Sequence, residues 1–306
     1  MFTPIYYDPV KFTPLNTVFI SISAIIFHLG CISSSIIIYI FFKNYHSSTS
    51  CYEKCICFLL FCQWFWAFPY SIQYPYMLSK GESFGFEGCQ WMGPVLPLAS
   101  GMTIFGHAIL AIDRYFTIIL QKSMKSKHFV ILSLIFIPTI IFIAICPYFM
   151  GTGFALNDGH FCYYNFKSRN AGDLVPIFLI LITYFAIFGI IAFCISKYIW
   201  RLQQTREERI KIFYTCVAVM GCFTGCYTPI IATFIGQLLF NYEFPEIILH
   251  LSTTISVSDC LLTPICLFIL VPSYQQGFRK HIYDYRQSDI SSSSQRQTVK
   301  LTEHGN

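Results

Sequence analysis

Seven long apolar stretches follow one another along this chain, near 15–42, 55–78, 90–112, 129–150, 174–199, 212–239 and 247–271, joined by short polar segments. About 20 apolar residues in a helix cross roughly 30 Å of hydrocarbon, so each stretch is long enough to span a bilayer. Single buried helices of a soluble protein can look like this, but a succession of seven leaves no soluble core to share. Charged residues make up only 11% of the chain, about half the usual share of a soluble domain. The expected fold class is an all-α membrane protein, a seven-transmembrane helix bundle. It divides into an N-terminal segment 1–14, a bundle 15–271 and a Ser-rich tail 272–306.

Basic residues predict the orientation, because Lys- and Arg-rich loops stay cytoplasmic. Of 20 Lys and Arg, all but Lys11, Lys80, Lys167 and Arg169 fall at the ends after the odd-numbered stretches. The N-terminus is expected outside and the C-terminus inside, in a plasma membrane. MFTPIYYDPV lacks the basic start of a cleavable signal. Most of the 14 cysteines lie in or beside the apolar stretches as small hydrophobes, with Cys51 in the first inner loop. Cys89 and Cys162 alone take outer positions, and the oxidising exterior predicts a disulfide between them, which would contribute roughly 4 kcal/mol by loop closure. For Cys51, Cys55 and Cys57 no histidine or acid completes a ligand set, so no metal is expected.

The third stretch carries a polar stripe. Steps of three and four back from Arg114 reach Leu110, His107, Thr103, Ser100 and Leu96, which share one helical face. Ionisable groups facing lipid cost at least ~2.5 kcal/mol, so this face looks into the bundle. Ser252, Ser256, Asp259 and Thr263 repeat the design in the last stretch, with Asp259 expected either to specify packing or to meet His107. Pro69, Pro138, Pro147, Pro176, Pro229 and Pro264 lie inside stretches, where proline kinks a helix.

These landmarks make the chain resemble the rhodopsin-like, or class A, G protein-coupled receptors over nearly its whole length. Asp113-Arg114-Tyr115 is the family's D/E-R-Y motif, twenty-five residues after Cys89. Phe84-Gly85 fit the end of its W-x-F-G pattern, and Tyr184 follows Pro176 at the family's interval. FTGCYTP matches F-x-x-C-W-x-P, with Tyr227 in place of the tryptophan. Departures are Thr263-Pro264-Ile265-Cys266-Leu267 for N-P-x-x-Y, Gln63 or Trp66 where helix two has an aspartate, Gly30-Cys31 for Gly-Asn, and Arg209 where an acid often locks helix six.

The resemblance implies coupling and activation roles for Asp113, Arg114, Tyr115, Tyr184, Thr263 and Pro264, and a transmission switch at Ile104, Pro176, Phe223, Tyr227 and Pro229. It implies a ligand cavity lined by Leu96, Ser100, Tyr227, Ile230, Thr253 and Val257, suited to a small neutral or lipid-like ligand. Leu96 replaces the aspartate of amine receptors, and Val257 the lysine that binds retinal. No cofactor is expected, a sodium ion near Asp259 being the one candidate. The implied partners are a heterotrimeric G protein, an extracellular ligand and membrane lipids, with no nucleic acid. SYQQGFRKHI reads as a short juxtamembrane amphipathic helix, and Ser288, Ser291, Ser292, Ser293 and Ser294 as phosphorylation sites for kinase and arrestin-like partners. The rival readings are a receptor-like scaffold without coupling and a transporter. An enzyme is not expected, since no paired carboxylates, Ser/Lys pair or H-E-x-x-H motif occurs.

Overall fold

The computed structural model describes residues 9–43, 51–122, 124–149, 154–157, 161–163, 171–201, 207–240, 242–271 and 274–277. Its helices are α1 (Pro14–Lys43), α2 (Cys51–Lys80), α3 (Phe86–Met92), α4 (Val95–Arg114), α5 (Ser126–Phe149), α6 (Ala171–Arg201), α7 (Glu207–Phe240), α8 (Glu246–Val257) and α9 (Asp259–Leu270). A π-helical turn (Tyr115–Ile119) follows α4, and β1 (Ala155–Asn157) pairs antiparallel with β2 (Phe161–Tyr163). Among the described residues six segments are long and apolar enough to cross a membrane, and Ile177–Ile190 of α6 adds a shorter apolar helix. The chain is a multi-pass integral membrane protein.

Two of the expected spans are each built from two helices. The third breaks at Gly93-Pro94, where proline has no N–H to continue the ladder, and the last breaks at Ser258, within two turns of Pro264. Cys51 opens α2 rather than lying in a loop, and Pro75 adds a helix proline that the sequence reading passed over.

In lipid, association rests on close packing more than on hydrophobic burial, and small residues permit it. A Cβ at Gly30 of α1 would stand 2.8 Å from the Cys260 carbonyl oxygen of α9, and one at Gly106 of α4 would stand 2.9 Å from Leu59 of α2. The opposite side of α1 exposes Val18, Ile22, Ile25, Leu29, Ile32 and Ile36 at steps of three and four, a face suited to acyl chains.

One end of the bundle is closed by the β1–β2 hairpin. The expected Cys89–Cys162 disulfide is present, with its Cα atoms 5.1 Å apart. Gln90 holds the hairpin's approach from the same helix: its Nε2 donates to the Phe154 carbonyl at 2.8 Å, and its Oε1 accepts from the Phe154 N–H at 3.0 Å. Residues ahead of α1 run against the α2–α3 connection, the N–H of Phe12 donating to Gly81 O and that of Ser83 to Val10 O. At the opposite end Tyr274–Gly277 form a helical turn under which Tyr274 is buried, and burial pushes its phenol above the ordinary value. The remainder of the proposed juxtamembrane helix and Ser288 and Ser291–Ser294 lie outside the described residues.

Candidate functional site

The polar stripes of α4 and of α8–α9 meet inside the bundle. Leu110, His107, Thr103 and Arg114 are buried and Leu96 and Ser100 half-buried, while Ser252, Ser256, Asp259 and Thr263 are all buried. Asp259, fully buried, gathers groups from three helices. The Gln63 amide of α2 donates to Oδ2 at 2.5 Å, His107 Nε2 of α4 lies 3.3 Å from the same oxygen, and the Thr263 hydroxyl donates to Oδ1 at 2.7 Å. A carboxylate so placed fixes a proton on Nε2 of the imidazole. Gln63 thus occupies the helix-two position as a donor, and the acid stands across from it on α9. Donors from Gln63, His107 and Thr263 thus engage both carboxylate oxygens without an added ion.

An aromatic chain leads from this centre toward the hairpin end. His107 and Phe223 have ring centroids 4.5 Å apart, Phe223 and Tyr227 4.9 Å, Tyr227 and Trp66 5.8 Å, and Trp66 and Phe27 6.2 Å. At its far end lies a cavity of about 60 Å³, lined by all six expected residues, Leu96, Ser100, Tyr227, Ile230, Thr253 and Val257. Trp66, Tyr70, Tyr74 and Tyr163 also line it and were not anticipated. The first three follow Gln63 on α2 in steps of three and four, a periodicity that marks a bundle-facing stripe. Tyr163, from β2, stacks on Phe234 of α7 at 5.6 Å and covers the cavity, and burial pushes its phenol well above the ordinary range. Ile104 is buried beside the cavity and also walls a second one, of about 240 Å³, between α4, α5 and α6.

At the other end Arg114 is 3% exposed. Its Nε donates to Asp113 Oδ2 at 3.1 Å, its Nη2 contacts the same oxygen, and its guanidinium carbon lies 3.7 Å above the Tyr52 ring of α2. Tyr115 leans on Phe193 of α6 at 6.1 Å in the π turn, a distortion frequent at functional sites. Tyr184 does not reach Arg114; its hydroxyl pairs with that of Thr228 in α7 at 2.9 Å and its ring faces Phe223 at 5.8 Å. Leu267, where the family has tyrosine, is fully buried, and beside it Cys266 lies 3.5 Å from Cys222 of α7. Pro229 and Pro264 fall inside α7 and α9. The backbone of Pro176 lies in α6, but the side chains of Pro176 and Arg209 lie outside the described residues.

A seven-helix membrane bundle with a disulfide-tethered hairpin at one end and a buried Asp-Arg pair at the other defines a class of membrane receptor. The model of the 7 transmembrane receptor (rhodopsin family) matches residues 33–267, and the chain belongs to that family, one of G protein-coupled receptors rather than enzymes. Among solved structures it is similar to the crystal structure of squid rhodopsin, with a TM-score of 0.74 and 17% identity, each chain covered over 91% of its length. At that identity the likeness establishes the fold alone. A comparison with curated proteins returns no match.

Proposed function

We propose that this receptor binds a small, neutral or apolar ligand at the hairpin end, facing outside, and activates a heterotrimeric G protein at the Arg114 end, facing the cytoplasm. The observation that carries this reading is the continuous buried path from the apolar cavity through Tyr227, Phe223 and His107 to Asp259, with His107 on the same helix, α4, that ends in Arg114. A ligand that packs better against one arrangement of these rings shifts the population toward it. Repacking of Ile104 and Phe223 lets α7 swing about Pro229, and Arg114 then leaves Asp113 and Tyr52 for the incoming partner. Tyr184 would exchange its Thr228 contact for this inner crevice in the same step. The basic inner rim, including Lys125 and Lys127, favours anionic lipid, and the serine-rich tail supplies sites for kinase and arrestin-like partners.

The test is nucleotide exchange on a panel of G proteins by wild type and Arg114→Ala reconstituted in lipid. Wild type is expected to accelerate exchange on at least one member and Arg114→Ala to lose that acceleration. Equal rates for both across the panel would favour a scaffold that does not couple.

A further inference from the structure

We propose that Cys51, Cys55 and Asp113 form a binding site for a thiophilic divalent cation, zinc foremost, at the end of the bundle that carries Arg114. Glu53 lies between these cysteines in sequence but on the opposite face of α2, and the fold instead supplies Asp113 from the last turn of α4. The two Sγ atoms and a carboxylate oxygen all lie within 4.8 Å of one another. Cys51 and Cys55 stand one turn apart on one face of α2, so two rigid helices hold the three ligands. Tetrahedral zinc with Zn–S bonds of about 2.3 Å places two sulfurs about 3.8 Å apart, so shifts of about 1 Å in the side chains complete the geometry. Cys55 and Asp113 are buried, whereas Cys51 is half-buried and opens the site at its edge, where a water or solute can take the fourth position. Both Arg114 contacts fall on one Asp113 oxygen, Oδ2, so the carboxylate keeps acceptor capacity for a metal while it holds Arg114.

The charges balance. Without metal the site holds two neutral thiols and the Asp113–Arg114 pair. Zinc entry releases two thiol protons to solvent and forms two Zn–S bonds and one Zn–O bond. Two thiolates and a carboxylate around one dication carry a single negative charge, which Arg114 neutralises as before. The exchange of one zinc ion for two protons therefore adds no net buried charge, the condition under which a site this deep can fill. Thiolate ligands select zinc over magnesium or calcium. Cys57 lies two residues past Cys55, on another face of α2, and serves as a control.

The experiment uses the full-length receptor in lipid nanodiscs, titrated with Co²⁺ and then Zn²⁺. Wild type and Cys57→Ser are expected to develop a sulfur-to-cobalt charge-transfer band with tetrahedral ligand-field absorption, bleached by Zn²⁺. Cys51→Ser and Cys55→Ser should lose most of that band, while Asp113→Asn should keep it but need about tenfold more Co²⁺ or higher. Thermal melts of each variant establish that it is folded. Absence of the band in wild type, its persistence in both Cys51→Ser and Cys55→Ser, or an equal loss in Cys57→Ser would overturn the site. The spectrum reads the metal alone, so the outcome is independent of nucleotide exchange.

Discussion

Asp259 is the residue on which the interior depends, because its charge answers Gln63, His107 and Thr263 at once. Asp259→Asn keeps the volume but removes the charge, leaving the buried imidazole and amide without a full partner, at about 1–3 kcal/mol. The reciprocal exchange is more informative. Gln63→Asp combined with Asp259→Asn restores one acid and one amide in the same place, so its thermal melt should recover part of the loss seen in Asp259→Asn alone, through a coupling of about 0.5–3 kcal/mol. A double variant no more stable than the sum of the two single losses would contradict that contact. The stripe counting already pointed His107 and Asp259 inward, since a 3.6-residue period is visible in sequence. Gln63 was legible only as a missing aspartate, because its partner stands 196 residues away and nothing in a one-dimensional pattern pairs them. The same blindness hid Asp113 from the cysteines of α2.

Among the elements, the helices were legible and the hairpin was not. Length and lack of charge mark a membrane helix, whereas strands of three residues carry too few positions to show alternation. The π turn after Arg114 likewise leaves no sequence signal, since it differs from an α-helix only in which carbonyl each N–H meets. Gly93 ties the hairpin to the third span: a Cβ there would run into the Phe154 ring, the residue whose backbone Gln90 grips from both sides. Gly93→Ala must push that contact apart and lift the hairpin that carries Tyr163 over the cavity. The expected result is a loss of about 1–3 kcal/mol, seen as a lower melting temperature. An unchanged melt would mean that the hairpin is free to move away at no cost. Both breaks within spans lie near prolines the sequence displayed, although the positions of the breaks, Gly93-Pro94 and Ser258, depend on packing that it did not.

For the whole molecule, the central claim is that the two ends communicate through the buried middle. His107 touches both Asp259 and Phe223, so it links the polar cluster that ties α2, α4 and α9 to the aromatic chain that reaches the cavity. The arrangement described here, with Tyr184 held by Thr228 and Arg114 held by Asp113 and Tyr52, corresponds to the resting state in this reading. Weakening the middle without touching either end should then release the Arg114 end in the absence of ligand. Basal nucleotide exchange by Asp259→Asn, compared with wild type at equal amounts of folded receptor, measures this directly. A shift of about 1.4 kcal/mol in the resting equilibrium predicts about a tenfold rise in basal exchange, abolished by adding Arg114→Ala. Basal exchange equal to that of wild type, in an assay where Arg114→Ala still eliminates the wild-type signal, would contradict the claim.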